Sequence, residues 1–415
     1  MQPADSTPIA AASTPGVPRN YGFAYIGSDQ RIYAVLQNTE SVTDVNSGGV
    51  DWQTVDVLAL WQSQTQTGVP LPFPRSDISP RSDGPICMNW NPNTDSFDND
   101  PPDAYLGYID ANSHVQGVSM SFDGSPPVLN WPETNADLTE HTGAPPAARG
   151  SGIASYYWQS QQSQHIVYAG TDGNVWELYL LPNTYTSDGL PLWQSNNLSG
   201  RTGYLGALAP KANSPLAATM FEREQTEHVI YVASDNTIRE LYFYDGSWGG
   251  NNLSAAAGAS PPAANTPLVT YACTYEDTLH VFYIDEDGHL QELWWKQGSW
   301  QMTHNLDEVW GKKPAPDSDL AGYSSEYEQT HHIIYTDVNG DLIEVYRKGD
   351  SWGYTLLIGV PNPETPLSTS SPIAGYAVEV SGDTGSEQVF YVDSSRRVHQ
   401  LYRANNSWNF GLTSG

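Results

Sequence analysis

Four glutamates recur at a fixed distance from a tyrosine in consecutive segments of the chain, and each has a histidine partner. The histidine stands three residues before the tyrosine and the glutamate nine after it, which pairs His165 with Glu177, His228 with Glu240, His280 with Glu292 and His332 with Glu344. An aromatic residue follows each glutamate by two: Tyr179, Tyr242, Trp294 and Tyr346. Aromatic faces stack on the C–H faces of polyhydroxylated ligands, and charged groups bond to their hydroxyls. The pattern therefore predicts a set of equivalent pockets for a neutral ligand.

A structural interpretation of the same residues remains open. Burying a carboxylate without a partner is costly, so each glutamate could instead accept hydrogen bonds from its histidine or from backbone N–H groups of a neighbouring unit. The pairs would then lock adjacent units together. A ligand-binding role predicts that Glu→Gln at Glu240, Glu292 and Glu344 weakens binding stepwise.

Each pair lies on a predicted β-hairpin. The segment 280–300 shows the unit: a strand at 280–284, an Asp/Gly-rich turn at 285–289 and a strand at 290–296, which is typical of a hairpin. The hairpin tyrosine recurs seven times, at Tyr25, Tyr108, Tyr168, Tyr231, Tyr283, Tyr335 and Tyr391, with gaps by subtraction of 83, 60, 63, 52, 52 and 56 residues. A period near 50 residues is that of a four-stranded propeller blade.

Further segments complete each repeat. A short apolar stretch precedes every hairpin, and a tryptophan marks the segment that follows it: Trp52, Trp131, Trp193, Trp248, Trp300, Trp352 and Trp408. The 36 glycines and 30 prolines indicate many turns and few helices. We therefore predict an all-β chain in which residues 1–415 form a single closed β-propeller domain with about four antiparallel strands per blade. Seven blades are favoured and six are the alternative, with repeat two as an embellishment.

Composition limits the partners. The formal net charge is −30, from 17 Lys and Arg against 47 Asp and Glu, so the surface repels nucleic acid and anionic membranes. The start of the sequence lacks the basic and apolar regions of a signal peptide. We expect a secreted protein in its mature form, with a cytoplasmic one as the alternative. The two cysteines, Cys87 and Cys273, are predicted to be buried free thiols.

Neither a metal nor a cofactor is expected. Asp337, Asn339 and Asp341 have the spacing of a calcium loop, but the closing glutamate is missing and the segment fits a hairpin turn. No phosphate loop and no Cys/His metal spacing occurs. His331 and His332 are adjacent on a strand, so they face opposite ways. Specificity is expected in long Pro- and Asp-rich loops at 73–84, 91–103 and 181–191.

The hairpins HVIYVASDNTIRELYFYDGSW (228–248), HVFYIDEDGHLQELWWKQGSW (280–300) and HIIYTDVNGDLIEVYRKGDSW (332–352) resemble the repeat of fungal fucose-specific lectins. The resemblance covers repeats three to seven well and repeats one and two faintly. It implies a propeller with sugar sites between blades, each joining an arginine at the head of the first hairpin strand, a glutamate on the second and an aromatic. The four glutamates above match that pattern, whereas histidine occupies the arginine position. The resemblance implies a lectin-like carbohydrate-binding protein with several inter-blade sites and a glycan or other neutral ligand.

Two alternatives come from other functional classes. The scaffold could serve as a cofactor-free enzyme of secondary metabolism, a cyclase or a pericyclase such as a hetero-Diels-Alderase, with one aromatic pocket; the missing arginine and the irregular loops favour this. It could also be a scaffold for protein partners. The G-x-S-x-G match at Ser351 sits at a turn position with no helix after it, so it does not predict a nucleophile. The sequence names no catalytic residue.

Overall fold

Seven antiparallel sheets make up this structure, one for each predicted repeat. The computed structural model describes residues 9–13, 20–38, 52–57, 79–81, 84–90, 104–123, 128–130, 135–187, 191–201, 208–358, 367–380, 384–404 and 407–414. The predicted all-β propeller with seven blades is confirmed, and the six-bladed alternative is excluded.

Within each blade the strands follow one another in chain order. Blade 1 contains β1 (Ala10–Ser13), β2 (Asn20–Ile26), β3 (Ile32–Asn38) and β4 (Trp52–Asp56). Blade 2 contains β5 (Ile86–Trp90), β6 (Ala104–Ile109), β7 (Val115–Asp123), β8 (Val128–Asn130) and β9 (Asn135–Asp137). Blade 3 contains β10 (Ile153–Trp158), β11 (Ser163–Ala169), β12 (Val175–Tyr185) and β13 (Pro191–Asn197). Blades 4 and 5 contain β14 (Leu216–Phe221), β15 (Thr226–Val232), β16 (Ile238–Tyr244) and β17 (Ser247–Asn252); and β18 (Leu268–Cys273), β19 (Thr278–Ile284), β20 (Leu290–Lys296) and β21 (Ser299–Thr303). Blades 6 and 7 contain β22 (Leu320–Ser325), β23 (Thr330–Thr336), β24 (Leu342–Lys348) and β25 (Ser351–Ile358); and β26 (Ile373–Val380), β27 (Thr384–Val392), β28 (Val398–Ala404) and β29 (Ser407–Ser414).

Blade 2 departs from the pattern, because β7 pairs with both β8 and β9. Short helical turns follow the outer strands of blades 2 to 5: α1 (Leu138–Thr142), α2 (Leu198–Arg201), α3 (Leu253–Ala257) and a 3-10 helix (Glu308–Trp310). Among the described residues, no helix has the length and apolar character needed to cross a bilayer.

The recurring tyrosine anchors each hairpin. All seven copies are at most 1% exposed, so the ring fills the space between blades. In blades 3 to 6 the hydroxyl also donates to a backbone carbonyl 23 residues upstream, on the segment that enters the blade: Tyr168 to Pro145, Tyr231 to Leu208, Tyr283 to Ser260 and Tyr335 to Lys312. In blades 3 to 6 the sequence period therefore marks the residue that ties the hairpin to the preceding connection.

The blades form a closed ring around their first strands. Each of β1, β5, β10, β14, β18, β22 and β26 contacts the first strand of the next blade, and β26 contacts β1. Because both faces of a blade meet a neighbour, the apolar core is divided into layers between successive blades. Blade 1 packs on blade 7 through Phe23 and Phe390, whose ring centres are 4.3 Å apart.

The structure also shows the environments of the two cysteines, the Asp337 turn and part of the long loops singled out from the sequence. Cys87 and Cys273 are free and buried as predicted, and burial raises the pKa of both thiols to about 12. Asp337 occupies a hairpin turn, where its carboxylate accepts from the backbone N–H groups of Asn339 and Asp341 at 2.8 and 3.0 Å. Trp131, the segment 91–103 and most of 73–84 lie outside the described residues, while 181–185 extends β12.

Candidate functional site

The predicted His/Glu pairs form between neighbouring strands of blades 3 to 6. We call the space between two successive blades a cleft and number it by its blades, so that cleft 5/6 lies between blades 5 and 6. Each pair faces the following blade. The His Nδ1 to Glu Oε1 distances are 2.8 Å for His165–Glu177, 2.7 Å for His228–Glu240, 2.8 Å for His280–Glu292 and 2.8 Å for His332–Glu344.

A hydroxyl completes each pair. The second ring nitrogen, Nε2, lies 2.7 to 2.8 Å from the side-chain oxygen of Ser163, Thr226, Thr278 or Thr330. The sequence analysis missed these residues, although a Ser or Thr two positions before every histidine was visible. All four of these residues are buried, so no acyl substrate can reach the hydroxyl, and the hydroxyl–imidazole–carboxylate order does not make a catalytic triad here.

Blade 7 contains an uncharged version of the same arrangement. Gln388 occupies the histidine position and donates to the Ser386 hydroxyl at 2.7 Å. Gln400 occupies the glutamate position and donates to the Gln388 carbonyl at 2.6 Å. Because a neutral chain of amides fits the same place, the hydrogen bonds themselves hold the blade together, and the charges are an addition in blades 3 to 6.

Burial and pairing act in opposite directions on these groups. His280 and His332 are 0% exposed. Burial alone would raise the pKa of the Glu292 carboxyl, but the hydrogen bond and the charge of His280 outweigh it and lower that pKa. Burial alone would likewise lower the pKa of His332, but the Glu344 and Glu387 carboxylates outweigh it and raise the pKa to about 9.

The clefts differ in the hydrogen-bond partner of the second glutamate oxygen, Oε2. Glu177 Oε2 accepts from Asn196 at 2.9 Å and Glu240 Oε2 from Asn251 at 2.7 Å, both within the blade. Glu344 Oε2 accepts at 3.0 Å from the indole N–H of Trp408, which belongs to the next blade. Glu292 Oε2 is buried and makes no hydrogen bond of ordinary geometry, although the Thr303 side chain on the neighbouring strand helps to lower the pKa of this carboxyl.

The predicted aromatics lie beside the pairs and are half-buried. The Tyr179 hydroxyl donates to Gln194 at 3.0 Å. The rings of Tyr242 and Tyr346 lie flat over Gly249 and Gly353 of the neighbouring strand, where a Cβ would stand 2.7 Å from the ring. The absence of a side chain at these two glycines therefore lets the rings rest on the blade.

The facing wall of each cleft comes from the following blade and was missed by the sequence analysis. The residue before the histidine, or before Gln388 in blade 7, points back towards the preceding blade. Glu227 thus meets His165 in cleft 3/4, His331 meets His280 in cleft 5/6 and Glu387 meets His332 in cleft 6/7. Strand alternation places Leu279 in cleft 4/5 in the same way. His331 and His332 therefore serve different clefts, as their adjacency predicted.

Cleft 3/4 contains two buried carboxylates. The Tyr156 hydroxyl lies 2.9 Å from Glu177 Oε1 and also contacts Glu227, which is 3.8 Å from His165 Nδ1. Burial, together with the nearby Glu177 charge, raises the pKa of Glu227 to about 8. Glu227 therefore retains its proton near neutral pH, which avoids placing two charged carboxylates together.

Three clefts contain groups that could hold a metal ion. Ligand atoms lie within 4.8 Å of one another in His165/Glu177/Glu227, Glu276/His280/His331 and His332/Glu344/Glu387. Hydrogen bonds within these groups or to neighbouring side chains already engage the same atoms, so an ion would have to replace these bonds. These side chains therefore form a hydrogen-bonded base to each cleft without requiring a metal ion.

Comparison with known proteins places the chain among lectin propellers. A model of the family described as fungal fucose-specific lectin matches residues 193–413, over half of the chain. The BP39L lectin from Burkholderia pseudomallei is similar in structure, with a TM-score of 0.64 at 14% identity over 100% of this chain and 99% of that chain. AofleA from Arthrobotrys oligospora has a TM-score of 0.52 at 13% identity, covering 74% and 80%. The Aleuria aurantia lectin, described as a six-bladed β-propeller, has a TM-score of 0.50 at 16% identity, covering 75% and 90%. No curated protein matches this sequence.

Proposed function

This chain belongs to the fungal fucose-specific lectin family, and we propose that it binds neutral carbohydrate in the clefts between its blades. One observation carries the proposal: blades 3 to 6 repeat a half-buried aromatic beside a hydrogen-bonded His/Glu floor, on the same face of each blade. Such a surface offers stacking to the C–H face of a sugar, with the polar His/Glu pairs buried behind the rings. The net charge of −30 favours neutral over acidic glycans.

The proposal concerns carbohydrate as a class. Histidine replaces the arginine of the family pattern in all four pairs, and each imidazole is engaged inside its own blade. A guanidinium presents five N–H donors in a rigid fork, whereas both nitrogens of each imidazole already have a partner within the blade. The proposal therefore names neutral carbohydrate as the ligand class and does not name fucose.

A glycan array tests the proposal. The fluorescently labelled chain at pH 7 is expected to bind neutral glycans, with competition by the corresponding free methyl glycoside. Isothermal titration of that glycoside gives the number of sites and their affinity. Glu→Gln at Glu240, Glu292 and Glu344 should weaken this binding stepwise. Glu286→Gln, an exposed turn substitution, is the matched control and should bind like the wild type. An array without bound glycan at any protein concentration contradicts the proposal.

No observation on the described residues favours the catalytic alternative. The blades repeat one polar arrangement, which fits several similar binding sites better than one reaction centre.

A further inference from the structure

Two paired residues on the second and third strands of each blade face the preceding blade, and their types differ from cleft to cleft. The strand register pairs Glu227 with Phe243 in blade 4, Leu279 with Trp295 in blade 5, His331 with Arg347 in blade 6 and Glu387 with Arg403 in blade 7. The third-strand residues reach Trp158, Phe221, Glu276 and Glu328 of the preceding blade, in that order. A buried glutamate therefore has an arginine beside it in blade 7 and a phenylalanine beside it in blade 4.

The arginine balances the charge of cleft 6/7. Arg403 lies 3.1 Å from both oxygens of Glu387, and Glu387 Oε1 lies 3.1 Å from His332 Nε2. Burial alone would raise the pKa of the Glu387 carboxyl, but the hydrogen bond and charge of His332 and the charge of Arg403 outweigh it and lower that pKa. Glu387 is therefore ionised and lies between two cationic side chains.

Cleft 3/4 has the same two carboxylates without the arginine. The side chains that face Glu227 from blade 3 are Tyr156 on β10, His165 on β11 and Glu177 on β12, and its strand neighbours in blade 4 are Met220 and Phe243. Among the described residues, His165 is the only cation-forming group in contact with Glu227, and it already pairs with Glu177 at 2.8 Å. An ionised Glu227 would therefore add a buried negative charge that no second cation balances.

The hydrogen bonds of Tyr156 locate a proton on Glu227. The Tyr156 hydroxyl contacts Glu227 and lies 2.9 Å from Glu177 Oε1, but it has only one hydrogen to donate. Glu177 also accepts from His165 and Asn196, which is the pattern of an ionised carboxylate. Tyr156 therefore donates to Glu177, and the protonated carboxyl of Glu227 donates to the Tyr156 oxygen. In cleft 3/4 a proton neutralises the carboxylate that a guanidinium neutralises in cleft 6/7.

We propose that cleft 3/4 is a pH-dependent contact between blades 3 and 4, which the Glu227 proton holds closed and which opens when that proton is lost. Opening lets water reach the carboxylate, and so removes the cost of burying a charge without a partner. The inference concerns the packing of two blades and does not depend on the ligand proposed above.

The pH range of the opening follows from the groups that face one another in the cleft. The pKa of Glu227 is about 8 in the closed cleft against an ordinary 4.5, so opening releases one proton between these values, and its equilibrium constant should rise about tenfold per pH unit and then level off. Burial opposes a charged His165, but the bond to Glu177 outweighs burial and raises its pKa above 6.5, so His165 adds to the rise only above about pH 6.5. Despite burial, His165 lowers the pKa of Glu177 below 4.5, and Glu177 therefore acts only below that pH.

Hydroxyl-radical footprinting read by mass spectrometry measures the opening. Trp158 is 3% exposed and packs on Phe243 in cleft 3/4, whereas Phe221 is 0% exposed and packs on Trp295 in cleft 4/5. Oxidation of Trp158 in the full chain should increase from pH 5 to pH 8, with the radical dose calibrated at each pH by an added reporter compound. Phe221 is the internal reference and should not change, because Leu279 stands where Glu227 stands in cleft 3/4.

Two variants should remove this increase for opposite reasons. Glu227→Gln keeps a donor for Tyr156 and cannot ionise, whereas Phe243→Arg supplies the guanidinium of cleft 6/7 and keeps Glu227 ionised. In both, Trp158 oxidation should be constant between pH 5 and pH 6.5, the range in which His165 does not contribute. Glu286→Gln, an exposed turn substitution, is the control and should follow the wild type. Thermal unfolding verifies that each variant is folded.

The result in the wild type and in Glu227→Gln decides the proposal even if Phe243→Arg does not fold. Trp158 oxidation that stays constant from pH 5 to pH 8 in the wild type overturns it. An increase between pH 5 and pH 6.5 that is equally large in Glu227→Gln also overturns it, because the proton would then belong to another group.

Discussion

At the scale of single residues, histidine in place of arginine directs the hydrogen bonds of the first hairpin strand into its own blade. The His280 ring uses one nitrogen for Thr278 and the other for Glu292, both within its own blade. An arginine at this position would have donors to spare for a ligand. The exchange therefore turns the position inward, and the cationic group of cleft 5/6 is Arg347, which comes from the following blade and contacts His331.

The titration of these buried groups predicts a broad stability maximum between about pH 4.5 and pH 6.5. The folded-state pKa of His332 is about 9, against an ordinary value of 6.5, so the stability from its proton is full below about 6.5 and lost as pH rises to 9. Glu227, at about 8 against 4.5, acts in the same direction. On the acid side, His331 at about 4 and Glu276 at about 2 make stability fall as pH falls below about 6.5 and 4.5 respectively.

Urea unfolding between pH 4 and pH 9 measures this profile. The double variant His332→Gln/Glu344→Gln copies the neutral pair of blade 7 and should flatten the alkaline decline, because it removes the proton that the folded state retains. An unchanged decline in that variant would show that other groups control the alkaline side.

At the scale of the blade, the hairpin and its anchor tyrosine could be predicted because both depend on spacing along one strand. The His/Glu contact followed from the same local alternation. The facing walls could not be predicted this way: Arg347 meets Glu276 and His331 only because blade 6 packs on blade 5 in a particular register, which no periodicity within a strand encodes. The buried hydroxyls were within reach of the sequence, through a Ser or Thr two residues before each histidine.

The anchor hydroxyl should contribute separately from the anchor ring. Tyr283→Phe removes the hydrogen bond to the Ser260 carbonyl and keeps the buried ring, so we expect a loss of about 1 kcal/mol in the free energy of unfolding. Tyr244→Phe, at a residue 59% exposed, is the control and should change little. Chemical denaturation compares the two, and equal effects would contradict a structural role for the anchor hydroxyl.

At the scale of the whole molecule, the ring closes by packing between blades 1 and 7. The four strands of each of these blades are contiguous in sequence, β1 to β4 and β26 to β29. The layer between them includes Phe23, Tyr25, Tyr376 and Phe390. Because side chains join these two blades, the stability of the closed ring depends on this layer as on every other.

Removing one ring from that layer should weaken closure. Phe390→Ala is expected to cost about 3–5 kcal/mol of unfolding free energy, and to speed amide exchange first in β2 and β27. Phe410→Ala, at an exposed residue of blade 7, should have little effect. Hydrogen exchange followed by mass spectrometry resolves the strands, and uniform exchange over all blades would contradict a local opening.

The contiguous blades also impose an order on biosynthesis. As the chain leaves the ribosome, each new blade can cover the outward face of the one before it. Phe23, however, packs on Phe390, so one apolar face of blade 1 stays uncovered until blade 7 has been translated. That face is the surface on which a nascent chain of this protein is most exposed to aggregation or to capture by a chaperone.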